Sequence, residues 1–170
     1  MGRRFRGEYT FKVDTKGRVS IPASFRRVLE AGDPGYTEGL RPQFVIQYGD
    51  DSQKYLEVFT MAEIEKLEDK IERLPNSPLK RELTRINISQ SHESEIDPDG
   101  RFVLPAKLRD HIGLGKEAVF AGTLNTFQIW DPEDYARRGD RKEKDAVLDL
   151  PEGINPMDAM DMVLAKLERE

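Results

Sequence analysis

The 170-residue sequence predicts an α+β fold, built from two copies of one small β-hairpin module with flanking helices. Three observations predict it. The stretch 13–29 recurs at 96–112. Each copy turns at an Asp-x-x-Gly between apolar stretches of strand type. A helix-start signal follows each hairpin, and helical apolar spacing follows that signal.

The repeat is close. Asp14, Gly17, Arg18, Pro22, Ala23 and Arg26 match Asp97, Gly100, Arg101, Pro105, Ala106 and Arg109 identically. The apolar positions Val13, Val19, Ile21, Phe25 and Leu29 match Ile96, Phe102, Leu104, Leu108 and Ile112. Beyond an insertion, Tyr55–Thr60 corresponds to Thr126–Asp131. Two copies are too few for a solenoid, so they form two homologous modules or two halves of one pseudo-symmetric unit.

Taken in order, Tyr9, Phe11 and Val13 alternate with polar residues and mark a half-buried strand. Asp14-Thr15-Lys16-Gly17 is the turn, with Asp bonding its own backbone and Gly accepting positive φ. Arg18–Ile21 returns as a strand. Pro22 suits the first turn of a helix whose apolar face is Phe25, Val28 and Leu29, and Gly32 stops it. The insertion 31–43, with three Gly and two Pro, reads as a surface loop. Strands follow near 43–48 and 55–59. Thr60-Met61-Ala62-Glu63 is a capping box for a helix carrying Ile64, Leu67, Ile71 and Leu74. Ser77-Pro78 starts a connecting helix through about Ile88, with Leu79, Leu83 and Ile86 as its stripe. Asp131-Pro132-Glu133-Asp134 starts the second copy's equivalent helix. Residues 137–145 are almost wholly charged, which predicts an exposed or mobile segment. Asn155-Pro156 caps a last helix with Met160, Val163, Leu164 and Leu167. The predicted organisation is a first module over 1–76, a connecting helix over 77–90, a second module over 91–136 and a charged tail over 137–170.

Composition narrows the function. There is no cysteine, which removes disulfides, thiolate metal sites and cysteine nucleophiles. No apolar run of about 18 residues exists to span a membrane. The basic N-terminus lacks the apolar region of a secretory signal, so a cytoplasmic protein is expected. His92 and His111 are the two histidines. His92 and Glu95 lack a recognised ligand spacing, and Asp97-Pro98-Asp99-Gly100 is only a fragment of a calcium loop. No Gly-rich phosphate loop or nucleophile elbow is present. No enzyme activity, metal or cofactor is expected. His111 is expected on the helix after Pro105, as a surface or interface residue.

Net charge is −5, but it is unevenly spread. Residues 1–30 carry eight basic and three acidic side chains, while 131–170 carry seven basic and twelve acidic ones. Fields act over roughly 8–10 Å, so a basic patch binds phosphate even on an acidic protein.

The constellation that carries chemistry is Asp-x-x-x-Arg, in Asp14/Arg18 and Asp97/Arg101. The Asp starts the turn and the Arg leaves it, so a carboxylate can hold the guanidinium in one geometry. Arginine reads guanine O6 and N7 with paired hydrogen bonds, and a β-ribbon enters the major groove. Arg18 is therefore expected to read base edges. Lys16, with Arg3, Arg4 and Arg6, is expected to contact phosphates. Gly17 and Gly100 complete the two tips. Asp99 stands where the first tip has Lys16, so the first tip is expected to dominate. The competing reading is a pair that fixes the turn and nothing more.

Phe5-Arg6-Gly7-Glu8 with Asp14–Pro22, Asp97–Pro105, and Phe127-Gln128-Ile129-Trp130-Asp131 resemble, in that order, the motifs of the MraZ family. The resemblance covers roughly residues 5–136. It implies tandem AbrB-like swapped-hairpin β-barrel modules. It implies a transcriptional regulator acting on double-stranded DNA at the promoter of the division and cell-wall gene cluster, and a nucleoid-associated location. It also implies ring-like homo-oligomers that read several short promoter repeats at once. Linked tips raise avidity by about 10² to 10⁴ when the spacing matches. The alternative is an antitoxin-like protein-interaction module using the same fold, with the tail holding a partner.

Overall fold

The alternation around Phe11 becomes strand β1, Glu8–Lys12, and the return strand is β2, Arg18–Ser20. A computed structural model describes residues 3–138, 153 and 155–169. The first repeat continues with α1 (Ala23–Ala31), β3 (Gln43–Gln47), β4 (Tyr55–Thr60) and α2 (Met61–Glu72). Helix α3 (Pro78–Thr84) and a π-helical turn (Arg85–Ser89) connect the repeats. The second repeat supplies β5 (Ser91–Glu95), β6 (Arg101–Val103), α4 (Ala106–His111), β7 (Glu117–Thr123), β8 (Thr126–Trp130) and α5 (Pro132–Arg138). Helix α6 spans Pro156–Glu168.

The fold is mixed α/β with antiparallel sheets, and the repeats are interleaved. The six-stranded sheet runs β1-β7-β8-β4-β3-β5, and β2 pairs β6 in a two-stranded ribbon. Strand β1 therefore lies on β7 of the other repeat, from Glu8↔Ala121 to Lys12↔Glu117. In mirror fashion β5 lies on β3, from Gln43↔Glu95 to Gln47↔Ser91. In the ribbon, Val19 faces Phe102 across the pseudo-symmetric centre.

One core serves both repeats. Phe5, Val19, Ile21, Phe25 and Leu29 from the first pack with Phe102, Leu104, Leu108, Phe120 and Phe127 from the second. Phe25 is fully buried against Phe5 (5.2 Å between ring centroids) and Phe127 (4.9 Å). Strand β4 alternates, burying Leu56, Val58 and Thr60.

The helix starts follow from local chemistry. Thr60 Oγ1 accepts the Glu63 N–H at 3.1 Å and opens α2, while Ser77 Oγ accepts the Lys80 N–H at 3.2 Å and opens α3. Gly32 ends α1, but not by a left-handed turn: its φ is −89°. A β-carbon there would stand 2.5 Å from Thr60 Cβ, and the Gly32 carbonyl accepts the Ala62 N–H at 2.8 Å. Glycine is needed for this close approach. The connecting helix does not stay regular to Ile88. It widens into the π turn, where the Ile86 carbonyl accepts from Gln47 Nε2 at 3.1 Å. Of its expected stripe, Leu79 is 61% exposed and Leu83 and Ile86 are half-buried.

The 31–43 insertion lies mostly at the surface. The Asp33 carboxylate closes it, accepting Gly35 N–H at 3.0 Å and Gln43 N–H at 2.9 Å. His111 is half-buried at the end of α4, its ring edge-on to Tyr48. Residues Met1–Asp134 form one compact unit and Tyr135–Glu170 a second. In the second, Asn155 Oδ1 accepts the Asp158 N–H and caps α6, which exposes Met160, Val163, Leu164 and Leu167. Of the charged stretch 137–145, residues 139–145 lie outside the described residues. No helix among the described residues is long and apolar enough to cross a membrane.

Candidate nucleic-acid interface

Both hairpin tips share one backbone design. The Asp14 N–H donates to the Arg18 carbonyl at 3.0 Å, and the Gly17 N–H to the Asp14 carbonyl at 3.0 Å. Asp14 Oδ1 accepts the N–H groups of Lys16 (2.9 Å) and Arg18 (2.8 Å). The second tip repeats this: Asp97 N–H to the Arg101 carbonyl at 2.8 Å, Gly100 N–H to the Asp97 carbonyl at 3.0 Å, and Asp97 Oδ1 accepting from Asp99 (2.9 Å) and Arg101 (3.0 Å). Gly17 and Gly100 have φ of +83° and +78°, the left-handed region that favours glycine.

The side chains break the symmetry. In the first tip, Arg18 Nε donates to Asp14 Oδ2 at 2.7 Å. Among the described residues, no hydrogen bond occupies the two terminal nitrogens of this guanidinium, and the side chain is 41% exposed. The Arg18 backbone N–H, followed by the Arg18 side chain, holds the Asp14 carboxyl below its ordinary pKa. Lys16 is exposed at the apex. In the second tip, Asp97 holds the backbone only. Arg101 Nη2 instead approaches Asp99 Oδ2 at 3.6 Å, and Arg101 Nε is buried without a hydrogen-bond partner. The Asp97–Arg101 side-chain pair expected by analogy with the first copy is not formed, and Arg101 lies at loose ion-pair distance from Asp99 instead.

The N-terminal arginines do not join the first tip. Phe5 bridges to Leu124 at the β7–β8 turn, and Arg4 donates to Asn125 there. Strand β1 then runs away from that turn toward Lys12 before the tip begins. Arg3, Arg4 and Arg6 are exposed, and their end of β1 lies opposite the end that enters Asp14.

Two residues missed as site candidates lie against the tips. Arg109 Nε donates to the Leu104 carbonyl at 3.0 Å, and a β-carbon built on Gly17 would stand 3.2 Å from Arg109 Nε and Nη2. Arg26 Nη1 donates to the Ile21 carbonyl at 2.9 Å, and a β-carbon on Gly100 would stand 2.4 Å from that nitrogen. Each arginine thus lies against the turn of the other repeat. Their identity in the repeat was the available signal. Among the described residues, no group of three or more acidic or histidine side chains gathers to hold a metal.

The arrangement suits anion and base-edge contact: a fixed guanidinium and an exposed ammonium at the apex. Comparison with known proteins agrees with the motifs. The model of the MraZ protein family, described as antitoxin-like, matches residues 4–87 and again 88–146. A transcriptional regulator MraZ of Ruegeria pomeroyi is 49% identical over 162 residues, covering 95% of this chain and 97% of its own length. One from Ruegeria sp. is 50% identical with the same coverage. One from Pseudoalteromonas atlantica is 34% identical, covering 88% of this chain and 96% of its own length. The chain belongs to the MraZ family.

Proposed function

We propose that this chain is a sequence-specific DNA-binding transcriptional regulator, with Arg18 reading base edges from the first tip and Lys16 gripping phosphate. The observation that carries the reading is the Asp14–Arg18 pair, which orients the guanidinium and leaves its terminal nitrogens unbonded among the described residues. Pre-orientation cuts the entropy lost on binding. The relatives' name, transcriptional regulator MraZ, supports the same role.

The finer reading follows from family membership. The two sheets form an AbrB-like swapped-hairpin barrel, with modules over 1–76 and 91–136 joined by 77–90. The chain assembles as a ring-like homo-oligomer that engages several short repeats in duplex DNA. It acts at the promoter of the division and cell-wall gene cluster and resides with the nucleoid in the cytoplasm. The second tip, with Asp99 beside Arg101, contributes less. Arg3, Arg4 and Arg6 serve a phosphate path distinct from the first tip.

The test is gel shift of the full chain on the duplex upstream of its own gene, against a scrambled duplex of equal composition, across salt concentrations. Preferential binding whose affinity falls steeply with salt is expected. Equal affinity for both duplexes at every salt concentration overturns it.

A second reading, an antitoxin-like interaction module, draws on α6, whose Met160, Val163, Leu164 and Leu167 are exposed. Deleting 137–170 separates the two. Loss of a co-purifying protein with DNA binding intact favours the interaction role.

A further inference from the structure

We infer that Arg109 is a positioning residue for the first DNA-reading tip, acting across the repeat boundary, and that Arg26 does the same for the second. This deepens the reading in which the tips contact DNA and rests on it.

The geometry begins with the ribbon. Strands β2 and β6 run antiparallel, so the residue leaving β6 lies beside the residue entering β2. Leu104 N–H accordingly donates to the Gly17 carbonyl at 2.7 Å, and Ile21 N–H to the Gly100 carbonyl at 3.1 Å. Those two bonds clamp each turn to the opposite strand. The carbonyls of Leu104 and Ile21 then face the helices that follow. Arg109 Nε takes the first carbonyl and Arg26 Nη1 the second, each five residues further along the chain. In both places the guanidinium lies against a glycine: a β-carbon on Gly100 would collide with Arg26 Nη1, and one on Gly17 would collide with the Leu104 carbonyl and press on Arg109.

The residue type fits the task. A guanidinium is planar, always charged and able to donate from several nitrogens in fixed directions. One N–H satisfies a strand-end carbonyl that burial would otherwise leave costly. The flat group fills the space that glycine leaves open. Arg109 is only half-buried, and its guanidinium lies against Gly17, between Lys16 and Arg18 in the chain. Without it, the Asp14–Gly17 turn keeps its internal bonds and the Leu104 clamp but loses the side chain packed against Gly17, a second support for its angle to the ribbon. Arg18 would then sample several directions, and discrimination would fall before general affinity does.

The experiment uses the full chain with Arg109→Gln and Arg109→Lys. Each is titrated with the duplex from upstream of its own gene and with a scrambled duplex, across salt, beside thermal unfolding. Both variants are expected to lower the upstream-to-scrambled affinity ratio about tenfold, while scrambled-duplex affinity and its salt slope stay within about twofold of the parent. A loss of folded protein lowers both affinities equally and leaves the ratio alone. Should Arg109→Gln not fold, Arg109→Lys carries the test, because it keeps the charge and loses the fixed planar geometry. Arg18→Ala is the reference arm. If Arg18→Ala loses discrimination and the Arg109 variants keep it, the positioning role is overturned and the parent reading stands. If Arg18→Ala keeps discrimination, the parent reading itself falls. If the Arg109 variants lose affinity for both duplexes equally, with the Gln variant's salt slope reduced by about 0.9, Arg109 is a phosphate contact, which also overturns the positioning role.

Discussion

Replacing Arg18 with alanine separates what the side chain does for the tip from what it does for DNA. Within the protein it gives up one ion pair, Nε to Asp14 Oδ2 at 2.7 Å, on a side chain 41% exposed. Exposed pairs contribute little because water screens them, so the fold should hardly notice. The tip should also survive, because Asp14 Oδ1 accepts the backbone N–H groups of Lys16 and residue 18, which alanine keeps. If Arg18 reads base edges as proposed, the loss at DNA is a bidentate contact worth about 1–3 kcal/mol, or about 5- to 150-fold per tip. An assembly engaging two independent tips should lose about 2–6 kcal/mol, since distant sites add. Competition titration of upstream against scrambled duplex at fixed salt measures this, with the thermal midpoint followed in parallel. An Arg18→Ala protein that melts normally and retains both upstream affinity and discrimination refutes the reasoning.

Three further outcomes follow from the same geometry. Lys16→Ala should weaken binding to all duplexes by about the same factor and reduce the salt slope by about 0.9 per engaged tip, read from affinities at four or more salt concentrations. Phe25→Ala removes a fully buried ring touching Phe5, Tyr9 and Phe127, and should cost about 3–5 kcal/mol in denaturant unfolding. Glu57 accepts from Thr126 Oγ1 and from Gln128 Nε2 at 3.1 Å, but burial outweighs these bonds and raises its pKa. Its folded state therefore favours the protonated form. The stability this brings is complete below the unfolded value of about 4.3 and is lost as pH rises through the folded one. Glu57→Gln should accordingly melt higher than the parent at neutral pH, with the gap closing near pH 4.

Local chemistry was legible in the sequence. Asp and Gly at fixed spacing specify a turn through bonds that span only four residues, and the tips have the form this requires. The caps at Thr60 and Ser77 are equally local. Strand partnership was not legible. The alternation around Phe11 says that one face is buried, and it fits equally well beside β7 or a strand of its own repeat. The same limit hid Arg26 and Arg109, whose neighbours are turns more than 70 residues away in sequence. It also misplaced the N-terminal arginines. Arg6 is near Asp14 along the chain, yet extended backbone rises about 3.3 Å per residue, so β1 carries it to the far end. The repeat itself overstated symmetry. Arg101 shares its motif with Arg18, but its guanidinium lies beside Asp99 and not paired with Asp97.

Interleaving has a consequence for synthesis. The strand at 8–12 meets its neighbour only when residues 117–121 have been made. At about 5–20 residues per second, a ribosome needs on the order of ten seconds to supply them. Until then the segment bearing Tyr9 and Phe11 has no partner strand, and an unpaired strand is a template for foreign ones. Neighbouring ribosomes on one message hold many such strands close together. Pairing of this segment with its own partner therefore competes, during synthesis, with pairing between nascent chains.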